Sequence, residues 1–164
     1  MVGGCNHFLM ELKLSFPFCP LSQNNIEKTG SRTNHRYKTD EAKIYRRQIE
    51  MHMRTTQWAL IKEFKEFFNE NIHGLEIELT WHLHHDKIFV KKMRNRQRRL
   101  SKTALDWDNP IKFTTDVIFD YLEINDAFVT AAQVRKAPSL EPSYFDVKIT
   151  IHELAHDDQY ATFL

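Results

Sequence analysis

The chain has 164 residues, 41% hydrophobic and 27% charged, with a formal net charge of +1, which suits one globular domain with one core rather than two. Two cysteines, Cys5 and Cys19, are too few and too unpatterned for a disulfide scaffold or a cysteine-based zinc site, so reduced thiols and a cytoplasmic setting are expected. Glu11 and Lys13 interrupt the apolar start, and no stretch approaches the roughly 18 apolar residues of a membrane span, so neither signal peptide nor membrane partner is expected.

Phe8, Met10, Leu12, Leu14 and Phe16 alternate with more polar residues, which predicts a half-buried strand ending at Pro17. Residues 20 to 39 are rich in Ser, Asn, Thr and Gly and read as a long loop. Between residues 41 and 73, Tyr45, Ile49, Met53, Leu60, Ile61, Phe64 and Phe68 build one helical face, with Thr39 or Asp40 as its cap and Gly74 as its stop. Trp58, Phe64, Phe67 and Phe68 are assigned to the core. Leu75, Ile77, Leu79, Trp81 and Leu83 then resume strict alternation as a second strand.

A second long loop is expected over 86 to 105. Asp108 is a good helix cap and Pro110 is tolerated in a first turn, where amide protons lack partners anyway, so a helix over 109 to 122 follows. Phe128 to Lys136 and Tyr144 to Ile151 complete the order β-α-β-α-β-β. The expectation is an α/β (α+β) fold, a single compact domain over residues 1 to 164 with helices on one face of a small mixed sheet.

Charge is segregated along this order. Lys91, Lys92, Arg94, Arg96, Arg98, Arg99 and Lys102 put seven positive charges into twelve residues, which leaves a net −6 on the rest of the chain. Such a ribbon repels itself without an anionic partner, and it suits salt-dependent contact with nucleic-acid phosphates. Arg32, His35, Arg36 and Lys38 in the early loop extend the same footprint. His82, His84, His85 and Asp86 raise a zinc reading, because His82 and His84 share a strand face; without a nearby cysteine or helical histidine spacing they read as solvated or substrate-side residues.

Directly after the ribbon comes Asp106-Trp107-Asp108-Asn109-Pro110-Ile111-Lys112, and Asn125-Asp126 follows one helix later. Carboxylates suit magnesium, a hard ion that keeps several waters, and such an ion assists phosphodiester hydrolysis. Lys112, one turn after Asp108, is placed to hold the phosphate or stabilise charge in the transition state. Asp116 and Asp120 continue the i, i+4 stripe, which is also how an ordinary salt-bridged surface looks.

The ordered set Asp106-x-Asp108-Asn109-x-x-Lys112-x-x-x-Asp116, then Asn125-Asp126-Ala127 and the strand through Val134-Arg135-Lys136, resembles the RusA family of Holliday junction resolvases. The family's pattern is Asp-Leu-Asp-Asn-x-x-Lys-x-x-x-Asp, followed by a Trp-x-Asp-Asp segment opening a strand. The resemblance implies metal ligation by Asp106, Asp108 and Asp126, an essential lysine at Lys112, and supporting roles for Asn109 and Asp116. It also implies Mg2+ as cofactor, with Mn2+ as a substitute, a homodimer, four-way or branched DNA as substrate, symmetric nicking, and a bacterial or phage setting. Trp107 and Asn125 depart from the pattern, and the tail after Ile151 lies outside it. A non-catalytic junction-binding protein, or a nuclease for flaps or RNA, would carry many of the same residues.

Overall fold

The computed structural model describes residues 8–21, 26–29, 36–84, 89–90, 99–100 and 108–154. Four strands form its sheet: β1 (Phe8–Phe16), β4 (His73–His84), β7 (Val129–Ser139) and β8 (Tyr144–Glu153). Their spatial order is β1-β8-β4-β7, antiparallel except for the parallel β4/β7 pair. Parallel neighbours need a crossover, and the connection between these two includes α3 (Asp108–Leu122).

The period-2 pattern decides which face is covered. Leu75, Ile77, Leu79, Trp81 and Leu83 of β4, Phe145, Val147, Ile149 and Ile151 of β8, and Leu12, Leu14 and Phe16 of β1 are all buried. Helix α1 (Asp40–Thr56) contributes Ala42, Tyr45, Ile49 and Met53 to the same core, α2 (Trp58–Phe67) contributes Ile61 and Phe64, and α3 contributes Phe113, Val117, Ile118, Phe119 and Leu122. The opposite face is polar. Lys148 sits there between Glu11 and Glu78, and His82 stacks on Tyr144 while its Nε2 lies 2.9 Å from Asp146. The α+β class and the one-sided helical cover are therefore as expected.

Three local expectations are corrected. The helix expected over 41 to 73 is two helices: the Thr55 and Thr56 hydroxyls donate back to the carbonyls of Met51 and His52, and Gln57 leaves helical geometry at φ −139°. The break turns α2 so that Ile61 and Phe64 face inward. Trp58 is left 58% exposed and Phe67 43% exposed, so neither is a core residue. Gly74 does not stop a helix, since α2 already ends at Phe67. It lies in β4, where a Cβ would come within 2.7 Å of the His152 ring, so its role is to admit that ring.

The supposed loop over 20 to 39 contains a small hairpin, β2 (Glu27–Thr29) paired with β3 (Arg36–Lys38). Buried Ile26 accepts the Thr39 amide through its carbonyl at 3.0 Å, and the Thr39 hydroxyl caps α1 by accepting from the Ala42 amide. The second expected loop holds a short pair, β5 (Phe89–Val90) with β6 (Arg99–Leu100). Strand β7 runs on through Pro138, which an edge strand allows because proline's missing donor faces no neighbour. No described helix is long and apolar enough to cross a membrane.

Candidate active site

Helix α3 is the spine of the acidic site. It begins at Asp108, one residue earlier than the pattern predicts, so Lys112, Asp116 and Asp120 follow at one-turn intervals. Its inner face is fixed by Phe113, Val117, Ile118 and Leu122. The fully buried Thr114 hydroxyl meets the Tyr45 hydroxyl of α1 at 3.1 Å, and burial pushes the Tyr45 phenol well above its ordinary range. With the inner face clamped in this way, the acidic stripe can only face outward.

The end of α3 brings Asp126 back toward that stripe. The Glu123 amide donates to the Asp120 carbonyl and the Ile124 amide to the Phe119 carbonyl, the paired bonds of a Schellman stop. The left-handed residue this stop requires is Glu123, at φ 58°, where glycine is usual; an L-residue there costs about 1 kcal/mol or more. Lys65 reaches across to Glu123 at 2.5 Å and helps to hold it. The Asn125 side chain then accepts from the Ala127 amide at 2.9 Å and caps the short 3-10 turn Asp126–Phe128. Asn125 thus serves as a turn cap where the family pattern has an acid. Just beyond, Thr130 bulges out of the β4/β7 register and donates to the Leu75 carbonyl, a device that re-aims a chain beside a site.

The Asp116 carboxyl feels the charges around it. Burial pushes the Asp116 carboxyl above the usual carboxylate range; Lys112 draws it down, Asp126 and Asp120 push it further up, and Lys38 draws it down again. Lys112, Asp126, Asp120 and Lys38 are therefore the charged groups that act on Asp116. Asp120 belongs partly to another set, because Arg46 of α1 reaches it at 3.1 Å while also binding Glu50. For Asp120 the ordinary salt-bridged surface is the better account. Lys38, placed by sequence in a distant loop footprint, joins the site: its ammonium lies 4.9 Å from the centre of the Phe113 ring. Its position immediately before the Thr39 cap was the available signal.

Other expected residues are not placed. Asp106 lies outside the described residues, as do Lys91, Lys92, Arg94, Arg96, Arg98 and Lys102; for Asp108, Asn109 and Arg99 only the backbone is described. Among the described residues no group of three or more His, Cys, Asp or Glu is poised to hold a metal. The donor chemistry nonetheless fits one. Asp126 offers the carboxylate oxygens that a hard divalent cation takes, and the Asp116 carboxyl near it adds negative charge that such a cation would offset. Of the histidines read against zinc, His82 is engaged with Asp146 and Tyr144, the His84 amide donates to the Ser143 hydroxyl, and His85 and Asp86 lie outside the described residues.

One stability prediction arises here. A carboxyl whose folded pKa is raised works against folding above that pKa, and the penalty disappears as the pH falls through it. Asp116→Asn is expected to raise the thermal midpoint at neutral pH. That gain should shrink as the pH is lowered through the carboxylate range; melting curves across that range test it, and a constant or growing gain would contradict the sign.

A small α+β domain with carboxylates and a lysine on the helix between two parallel strands defines a class suited to chemistry on phosphodiesters. Residues 17–152 match the family Endodeoxyribonuclease RusA, and the chain belongs to that family of nucleases. No curated protein matches it.

Proposed function

We propose that this protein is a homodimeric endodeoxyribonuclease that resolves Holliday junctions by paired, symmetric hydrolysis of two phosphodiesters. The observation that supports the reading is an Asp116 carboxyl acted on by both Lys112 and Asp126, on a chain of this nuclease family. A magnesium ion held by Asp106, Asp108 and Asp126 would supply Lewis acidity and neutralise charge on the reacting phosphate. Lys112 binds that phosphate with a point charge on a flexible stem, and it offsets the negative charge that builds up as water adds. Asp116, half-buried beside it, orients the Lys112 ammonium, and Asn109 supports the same turn. The ribbon from Lys91 to Lys102 grips the flanking backbone without reading sequence. Two-fold symmetry fits the substrate, since paired sites can cut strands related by the same axis.

The test is a synthetic four-way junction labelled on each strand in turn, incubated with Mg2+ and then with Mn2+. Nicks in two opposing strands at symmetric positions are expected, with linear duplex left intact. An uncut junction in both metals would overturn the reading in favour of a binding protein, and faster cutting of flaps or RNA would overturn it in favour of another nuclease.

A further inference from the structure

Beyond Lys112, the site has a second cation from a separate part of the chain. We infer that Lys38 is a phosphate-binding residue of the nuclease site, contacting the DNA backbone next to the scissile phosphate from the side of Asp116 opposite to Lys112. The inference rests on the nuclease reading above and adds to it a contact on a different element.

The backbone carrying Lys38 is pinned at three points. It ends β3, in register with Glu27 of β2; the next residue's amide binds the Ile26 carbonyl; and the Thr39 hydroxyl caps α1. Helix α1 is in turn fastened to α3 by the Tyr45–Thr114 hydroxyl pair and by Tyr45 lying 6.1 Å from Phe113, ring to ring. Lys38 consequently has little freedom to leave α3. Its ammonium lies over the Phe113 ring, 4.9 Å from the centre, held by the negative face of the ring while its apolar stem covers it.

The helical wheel sets the arrangement. At about 100° per residue, Asp116 falls between Lys112, about 40° to one side, and Phe113, about 60° to the other. Lys38, seated on Phe113, completes a bracket of two lysines around Asp116. A DNA backbone entering a space lined by Asp116 and Asp126 meets repulsion that Lys112 alone offsets for one phosphate. A second cation beside it, on an exposed residue, offsets the next phosphate along the strand.

Lys38→Met separates this role from a structural one, since methionine keeps an apolar stem over Phe113 and removes only the charge. Junction binding should be measured by titration without divalent cation across a salt series, together with melting curves and Mg2+-dependent nicking. Lys38→Met is expected to remain folded at the assay temperature, to bind about tenfold more weakly at fixed salt, and to show a log–log salt slope shallower by about 0.7 to 0.9, the loss of one phosphate contact. Lys38→Arg should retain the wild-type slope. Unchanged affinity and slope in Lys38→Met, or weaker binding with an unchanged slope, would overturn the inference while leaving the nuclease reading intact. Wild-type protein that nicks junctions while Lys38→Met does so with equal half-saturation would overturn it as well. Wild-type protein that neither binds nor cuts branched DNA would overturn both.

Discussion

Asp126→Asn is expected to lower single-turnover nicking of a four-way junction by about 10²- to 10³-fold, the loss usual for one preorganised electrostatic group, or about 2.7 to 4 kcal/mol of transition-state stabilisation. The substitution keeps the shape of the side chain and removes its charge. Asp126 is exposed at the start of a 3-10 turn whose cap is the Asn125 side chain, so the turn survives. Its thermal midpoint should therefore stay close to that of wild type. Junction binding without divalent cation should be unchanged or somewhat tighter, because one negative charge has left the path of the DNA. Asp108→Asn should match it in nicking. Nicking by Asp126→Asn within about threefold of wild type would remove Asp126 from the mechanism, and a large fall in midpoint would show that its role is structural.

Much of this site was legible in the sequence because its parts are local. The spacing Asp108, Lys112, Asp116 becomes one stripe as soon as α3 forms, and Phe113, Val117 and Ile118 mark the face that must turn inward. Strands β1, β4 and β8 were legible for the same reason, since alternation over four or more residues has few other readings, whereas the edge strand β7 shows no such alternation. What sequence missed depends on long-range contact or on residues acting against type. The β2/β3 hairpin has three residues per strand, too few for a pattern, and the residue that leads into it, Ile26, is buried. Lys38 reaches the site only because that hairpin and the α1 cap fold back onto Phe113.

The turn after α3 is a further case. A Schellman stop is usually read from glycine, whereas here Glu123 takes the left-handed position. The influence of Asp126 on Asp116 therefore left no composition signal, and the family resemblance groups Asp126 with Asp106 and Asp108 instead. The Gly74 misreading shows the converse. Glycine just past an apolar helical pattern reads as a stop, but the Thr55-Thr56-Gln57 break had already reset the helix, and the glycine answers to the ring of His152, its cross-strand partner far along the chain.

Phe145→Ala is expected to cost about 3 to 5 kcal/mol of stability, a large share of what a domain of this size has. Phe145 is fully buried on β8 and is the hub of an aromatic cluster, stacked on Phe16 of β1 at 4.5 Å and close to Phe18 and Tyr45 at 5.7 and 6.4 Å. Truncation leaves a cavity that these rings can fill only by leaving their own seats. The cost extends to the site, because Tyr45 is the residue that joins α1 to Thr114 and Phe113 of α3. The thermal midpoint should fall by roughly 6 to 20 °C, with Phe145→Leu losing much less. Well below its midpoint, Phe145→Ala should still nick the junction, but with weakened binding, since Lys38 and Lys112 are then held on less firmly joined elements. A midpoint within about 2 °C of wild type would show that the cluster relaxes around the gap and does not set the position of α3.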